Sequence, residues 1–386
     1  MDKKKQGNGK HCMRKILCIA PYQYIPYFSG GQKYIAEFTR HLSKRTALTV
    51  ISTGDNKPGK EDEYTFLPLL GQQRTRYIDI GLVWQIHSLI KKNKYDAIIW
   101  EHPYYGWLAM ILQWLTGICT VIHTHNIEYQ RFRSMGKWWW SILRVYEKWT
   151  LRNADKIFCI TEEDRQVMMN EFGIHRENTC LVTAGIDSLS NYQEKTFFQQ
   201  SIKQRHGISE ETRLFLFSGL LSYKPKEEAV LFIRDKLVPK LETENPFPFK
   251  IIICGKGMNP IYTNETDPKN HRIIYTGFVE DISEYIKAAD LFLNPVVTGG
   301  GIKTKVIESI GFNTTVISTT NGATGVQKEV CGNKLVIVPD GDVEIFTKAI
   351  VEFADDHSET PPSYYQYYKW ENIIEQAIQS LPDQST

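Results

Sequence analysis

Short runs of uninterrupted apolar residues recur along the chain. Each is followed by a polar loop and then by apolar residues at helical spacing. The first run, KILCIAP (15–21), reads as a buried parallel strand. A glycine-containing loop (22–32) leads into a helix with Ile35, Phe38 and Leu42 on one face, and then into the strand LTVIST (48–53). Strand, loop, helix and strand make a right-handed crossover. The pattern repeats with strands at 95–102, 119–126, 155–160 and 180–187. Helices are expected at 107–117, at about 135–152, and after Thr161 as N-cap. In the helix at 135–152, Trp139, Ile142, Leu143 and Tyr146 are expected to form the buried stripe.

Residues 188–212 are polar and charged, and read as a linker followed by a helix. A second series then begins, with strands at 213–219, 249–257, 272–279, 291–296, 314–320 and 334–340. Helices alternate with them at 227–241, 282–290, 304–312 and 343–356. Two consecutive βα series predict an α/β protein of two doubly wound, Rossmann-like lobes, at 14–187 and 188–362. The cleft between such lobes is the default site. A last helix at 364–381 carries Ile373, Ile374 and Ile378, which are expected to pack back on the first lobe.

Composition narrows the class. The chain has 386 residues and a net charge of only +2 from 46 basic and 44 acidic residues, so no nucleic-acid partner is implied. Seven Cys without a CxxC pair, three of them inside strand-like runs (Cys18, Cys159, Cys254), read as buried thiols of a reducing compartment. The polar stretch 1–13 has no apolar h-region after it, so a cytoplasmic protein is expected.

The strongest chemical signal is LNPVVTGGGIKTKVIES (293–309). Gly299, Gly300 and Gly301 follow a strand and open a helix, where backbone amides and the helix N-terminus favour an anion. Ile302 lies in the same loop, Lys303 and Lys305 flank the turn, and Glu308 sits about one turn into the helix, where a carboxylate can accept two ribose hydroxyls. A second near-motif, CGKGMNP with Gly255 and Gly257, lacks the third glycine of a dinucleotide fingerprint. His123 and His125 end the strand at 119–126, and are expected to point to opposite faces, so that one alone serves the site; His125 is favoured and His123 is the second choice. No metal-ligand spacing is seen. GKWWWSILRVYEKWTLR (136–152) combines four Trp with Lys and Arg, which suits either a buried stripe or a membrane interface through Trp138–Trp140.

This order of features resembles the retaining glycosyltransferases of family 4, which have the two-lobed GT-B fold. GGGIKTKVIES resembles their donor loop, and Glu308 matches the second Glu of their E-x7-E signature, with Gly300 where the first Glu would stand. SGGQKYIAEFTRHL (29–42) resembles their N-lobe glycine loop, in which Gly30 and Gly31 would face the donor phosphates. VIHTHNIEYQRF (121–132) resembles the segment with an essential histidine, and GFVEDISEYIKAADLFLNP (277–295) the one that holds the base. FSGLLSYKPKEEAV (217–230) resembles the opening of the second lobe. The family's Arg position is Leu220 here, leaving Lys224 or Lys226 for the diphosphate.

The resemblance implies transfer of a sugar, with retention, from a nucleotide diphosphate donor such as a UDP- or GDP-sugar to a hydroxyl of an acceptor glycan or lipid-linked saccharide. It also implies no permanently bound cofactor, no bound metal, a role in polysaccharide biosynthesis and a place at the inner membrane face. Two alternatives remain: a non-catalytic nucleotide-sugar-binding module, and a GT-B sugar-nucleotide epimerase, for which no carboxylate pair is apparent.

Overall fold

The computed structural model describes residues 13–187, 192–244, 246–263 and 268–382. The polar stretch at 1–12 and the start of the expected linker, 188–191, lie outside the described residues. The chain divides into two compact units, one of Met1–Val182 with Ile374–Thr386 and one of Thr183–Ile373.

The first unit is built on seven strands: β1 (Lys15–Ile19), β2 (Ala47–Thr53), β3 (Thr65–Leu70), β4 (Ala97–Glu101), β5 (Cys119–Thr124), β6 (Lys156–Cys159) and β7 (Thr179–Leu181). They form a parallel sheet in the order β3-β2-β1-β4-β5-β6-β7. Its helices are α1 (Gly30–Ser43), α2 (Gly81–Asn93), α3 (Gly106–Thr116), α4 (Glu128–Ser134), α5 (Trp140–Asn153) and α6 (Glu162–Val167). Thr161 caps α6 by accepting from Asp164 N. The core joins the sheet to α2, α3 and α5 through residues such as Trp100, Leu108, Leu112 and Leu151.

The second unit has a six-stranded parallel sheet in the order β10-β9-β8-β11-β12-β13. Its strands are β8 (Arg213–Ser218), β9 (Phe249–Cys254), β10 (Ile273–Gly277), β11 (Leu291–Asn294), β12 (Thr315–Thr319) and β13 (Leu335–Val338). Its helices are α7 (Tyr192–Arg205), α8 (Lys224–Phe232), α9 (Val238–Glu244), α10 (Ile282–Ala288), α11 (Thr304–Gly311), α12 (Lys328–Cys331), α13 (Val343–Phe353) and α14 (Pro362–Tyr368), with α15 (Trp370–Gln379) running on into the first unit.

Each sheet reverses its strand order once, between β1 and β4 and between β8 and β11. Such a reversal opens a crevice at the carboxyl ends of the strands, where ligands of doubly wound folds bind.

Several features depart from the sequence pattern. β3, α2, α4 and α12 are additional elements. β3 contains Pro68, which a strand tolerates at a sheet edge, and β3 pairs only with β2. The helix expected at 135–152 is α5, and its buried side keeps only part of the expected stripe: Leu143 packs on the core and Tyr146 is half-buried, its Oη donating to Tyr104 O at 3.1 Å. Ile142 is exposed, whereas Glu147, Thr150 and Leu151 are buried. The cause is polar: Glu147 accepts the first amides of α4, from Glu128 N at 2.8 Å and Tyr129 N at 3.0 Å. Gly106 also meets α5 so closely that a Cβ there would lie 2.1 Å from Thr150 Oγ1. Finally, the expected helix at 364–381 is broken at Lys369, whose ψ of 126° is extended. Tyr364 Oη donates to Ile307 O in the second unit, while Arg14 donates to Pro382 O in the first. Ile373 and Ile374 are buried, and Ile378 is half-buried.

Candidate functional site

In the first unit the crevice at the strand-order reversal is lined by polar side chains on buried positions. β4 ends on Glu101, whose neighbour across the parallel register of β5 is His123. Residues two apart on a strand share a face, so His123 and His125 converge; the expectation that they diverge is wrong. His123 Nδ1 lies 3.1 Å from Glu101 Oε1, and His125 Nε2 lies 2.6 Å from Glu101 Oε2. Tyr34 Oη donates to Val182 O, so its oxygen accepts from His123 Nε2 at 2.9 Å. Both histidines are thus fixed by one carboxylate, itself 1% exposed.

Burial pushes the Glu101 pKa up, but the charge and hydrogen bonds of His123 and His125 outweigh it and hold the carboxyl well below its usual range. Burial, and then the nearby His102, push His125 down to about 3 against the opposing pull of Glu101. His125 is therefore neutral at pH 7. Its Nε2–H donates to Glu101, which leaves Nδ1 with a lone pair, and that buried nitrogen has no protein partner. The dyad presents a fixed hydrogen-bond acceptor, suited to a hydroxyl.

A second cluster adjoins it. The His102 ring lies 4.1 Å from that of His125, centroid to centroid. Its Nε2 is 2.6 Å from Tyr22 Oη and its Nδ1 is 3.3 Å from Glu128 Oε1. Glu128 Oε2 accepts from Tyr104 Oη at 2.9 Å and from Arg131 Nε at 3.1 Å. His102 has φ 69° and ψ 157°, a region populated almost only by glycine. Holding a histidine there costs roughly 1–3 kcal/mol, and such strain gathers at functional sites.

Glu101, His123 and His125 also offer three ligand-type atoms within 4.8 Å of one another, a grouping that sequence spacing did not suggest. Each carboxylate oxygen faces one imidazole nitrogen, His123 Nδ1 and His125 Nε2, while His125 Nδ1 has no protein partner.

In the second unit the loop after β11 carries Gly299 at φ 98° and Gly301 at φ 76°, both in the left-handed region that favours glycine. Lys303 ties this loop, its Nζ donating to Gly299 O at 2.9 Å and Gly300 O at 3.3 Å. Lys305 Nζ lies 2.5 Å from Glu308 Oε2 one turn into α11. Of the two lysines left open by the sequence, Lys224 is 84% exposed and 3.8 Å from Glu228. Lys226 instead turns in, its stem against Gly219 and its Nζ 5.3 Å from the Phe217 ring centroid. Burial, with added repulsion from Lys303 and Lys305, pushes it down to about 8. Burial alone pushes Lys303 to about 8. Lys303 is bonded to the glycine loop and Lys305 to Glu308 behind it, while the Lys226 ammonium lies over the Phe217 ring of β8.

The CGKG turn has a packing role. A Cβ on Gly255 would lie 1.9 Å from Gly219 O, so glycine lets the loop after β9 rest on the loop after β8. The same turn lines a cavity of about 680 Å³ with Lys256, Asn270, Tyr275 and Phe278.

Gly30 and Gly31 are not loop residues but the first turn of α1, capped by Ser29. A Cβ on Gly31 would meet nothing within 4 Å, so this turn is open to a ligand. Ile302 is half-buried in the glycine loop. Sequence reading missed Glu101, His102, Tyr22 and Glu128. The available signal was a charged pair closing the apolar run AIIWEH at the carboxyl end of a parallel strand.

Two doubly wound units, each with its crevice at a strand-order reversal, define the GT-B class of fold. Comparisons agree. The structure resembles Anabaena HepE in complex with UDP and glucose (TM-score 0.68, 16% identity, covering 96% of this chain and 99% of that one). It is equally similar to sucrose-phosphate synthase from Thermosynechococcus elongatus (TM-score 0.68, 13% identity, 95% and 98%). The family model for Glycosyltransferase Family 4 matches residues 28–188, and that for Glycosyl transferases group 1 matches residues 212–356. The chain belongs to these family-4 glycosyltransferases. A curated relative is the Escherichia coli UDP-Gal:alpha-D-GlcNAc-diphosphoundecaprenol alpha-1,3-galactosyltransferase, 24% identical over 357 residues and covering 88% of each chain. Another is an uncharacterized glycosyltransferase of Methanocaldococcus jannaschii, 19% identical over 374 residues (90% of this chain, 91% of the relative). Among the described residues no helix is long and apolar enough to cross a membrane.

Proposed function

We propose that the protein transfers a hexose from a UDP-sugar to a hydroxyl of a lipid-linked saccharide, with retention at the anomeric carbon, in polysaccharide assembly at the inner face of a membrane. The observation that carries the reading is the glycine loop that opens α11, tied by Lys303 to Gly299 O and Gly300 O and followed by the Lys305–Glu308 pair one turn into the helix. Bond cleavage puts negative charge on the leaving diphosphate. Preorganised cations and a helix N-terminus stabilise that charge as it grows, and we assign this task to the lysines without a bound metal. Glu308 holds the ribose and the cavity beside Gly277 and Phe278 holds the base, the segment expected to do so from sequence.

In the first unit, His125 accepts a hydroxyl of the sugar through Nδ1, and Glu101 is the positioning residue that fixes its tautomer. The named ligands of similar proteins favour UDP over GDP: HepE is described with UDP-glucose, and the E. coli relative is named for a UDP-galactose donor and a diphosphoundecaprenol acceptor.

Calorimetric titration with UDP and GDP, followed by an assay of UDP release from UDP-hexoses, tests the reading. UDP binding about tenfold to a hundredfold weaker in Glu308→Ala is expected, because removing charge-assisted hydrogen bonds costs roughly 1.5–3 kcal/mol. Unchanged UDP affinity in a folded Glu308→Ala protein contradicts the ribose assignment.

A further inference from the structure

The crevice of the first unit holds a second set of polar groups besides Glu101, His123 and His125. Tyr22 follows β1 and His102 follows β4, the two strands on either side of the order reversal. The pair therefore stands where ligands of doubly wound folds bind. The two side chains meet there, with Tyr22 Oη 2.6 Å from His102 Nε2. On the other side of the imidazole, Nδ1 lies 3.3 Å from Glu128 Oε1, and neither atom has another protein partner. Glu128 is fully buried, and its second oxygen is fixed by Tyr104 and Arg131. Hydroxyl, imidazole and carboxylate thus stand in line, an order suited to moving a proton.

The partners set the proton positions. The nitrogen that faces a carboxylate carries the hydrogen, so Nδ1–H points at Glu128 and Nε2 keeps a lone pair. Tyr22 then donates its O–H to Nε2, and its oxygen is left to accept. Tyr22 is half-buried, and among the described residues its hydroxyl bonds only His102. Burial, with Glu101 and Glu128 nearby, pushes the Tyr22 pKa up, so a proton enters this oxygen only as its own leaves for His102. The backbone is bent to place the ring. His102 N is tied to His123 O at 2.8 Å and Pro103 follows, yet the residue is held at φ 69° with its ring flat on Tyr104, 7° between planes and 4.9 Å between centroids. A histidine that only filled space would not need this conformation.

We propose that Tyr22, His102 and Glu128 form a relay that removes the proton of the acceptor hydroxyl as the glycosidic bond forms. This rests on the sugar transfer proposed above and adds where the acceptor hydroxyl binds and where its proton goes. The hydroxyl donates to Tyr22 Oη. Its oxygen forms the bond to the anomeric carbon, and the bond from that carbon to the diphosphate breaks, its electron pair leaving with the diphosphate. The hydroxyl proton passes to Tyr22 Oη while the phenolic proton passes to His102 Nε2. Tyr22 ends neutral, and His102 ends as an imidazolium facing the Glu128 carboxylate, from which it releases its proton to water. Tyr22 is the catalytic residue of the three, and His102 and Glu128 act through it.

The full chain is assayed for UDP release from a UDP-hexose with and without a diphospholipid-linked saccharide. His102→Gly suits the backbone at φ 69° and removes the imidazole. Its acceptor-dependent kcat should fall about a hundredfold or more, the usual contribution of a positioned proton acceptor. Added imidazole should raise that rate about tenfold. Pyrazole has the same shape but is far less basic, and should not raise it. Tyr22→Phe should lose a similar factor and respond to neither compound. UDP titration shows that each variant is folded. Full turnover by either variant, or equal rescue by imidazole and pyrazole, overturns the relay and leaves His102 a packing residue, with sugar transfer itself intact. A wild-type protein that binds UDP but shows no acceptor-dependent release overturns the transfer reading, and the relay with it.

Discussion

At the residue scale, one carboxylate organises two histidines. Glu101→Gln keeps the shape but offers a single acceptor oxygen, so it cannot satisfy both imidazoles. Losing one charge-assisted hydrogen bond of roughly 1.5–3 kcal/mol should lower kcat about tenfold to a hundredfold. The KM for the donor should change little, because the nucleotide is assigned to the other unit. A Glu101→Gln enzyme of full kcat would remove its positioning role. His125 makes a separate prediction for stability. Its folded value near 3 lies below the 6.5 of an ordinary imidazole, so on acidification the unfolded chain takes up a proton first. Its contribution is complete above about pH 6.5 and is lost as pH falls toward 3, at up to about 1.4 kcal/mol per pH unit. Thermal melts of His125→Asn between pH 7 and 5 should therefore be flatter than those of the wild type; parallel curves would contradict the buried, neutral state. The His-x-His pair was legible in the sequence because it ends an apolar run. Its shared partner was not, since Glu101 is remote in sequence and meets His123 only through strand register.

At the element scale, the glycine loop and the start of α11 were legible, because three consecutive glycines between a strand and a helix have few other uses. The choice between Lys224 and Lys226 was not, since it depends on the direction each side chain takes from the first turn of α8. With Lys226 and Lys303 held near 8, the fraction charged falls as pH rises through that value. UDP affinity should drop between pH 7 and 9, and Lys226→Ala should both weaken binding and flatten that dependence. Calorimetry at the two pH values checks it; a wild-type affinity that does not change with pH would take Lys226 out of the anion site. The α5 stripe shows why periodicity alone misplaced a face. Apolar spacing favoured Ile142 inward, but Glu147 is drawn in by the unpaired amides of α4, and the helix turns with it.

At the scale of the whole molecule, two alternating series in the sequence were enough to foresee two doubly wound units, because each strand is a short apolar run bounded by polar loops. The edge strand β3, with its proline, and α2, without a side-chain cap, gave weaker patterns. The C-terminal segment serves both units in turn. Tyr364 and Tyr368 are buried in the second, and Ile374, Ala377 and Leu381 belong to the first. Deleting 362–386 should therefore uncover apolar surface on each and cause aggregation on expression; a soluble, monomeric truncation would show the segment to be dispensable. The central claim is catalysis on a UDP-sugar. The most direct test incubates the protein with UDP-galactose or UDP-glucose and a diphospholipid-linked saccharide, and follows UDP release and the anomeric configuration of the product by NMR. The account predicts acceptor-dependent release of UDP and a product with the donor's α configuration. Donor binding without release, or a β-linked product, would contradict it.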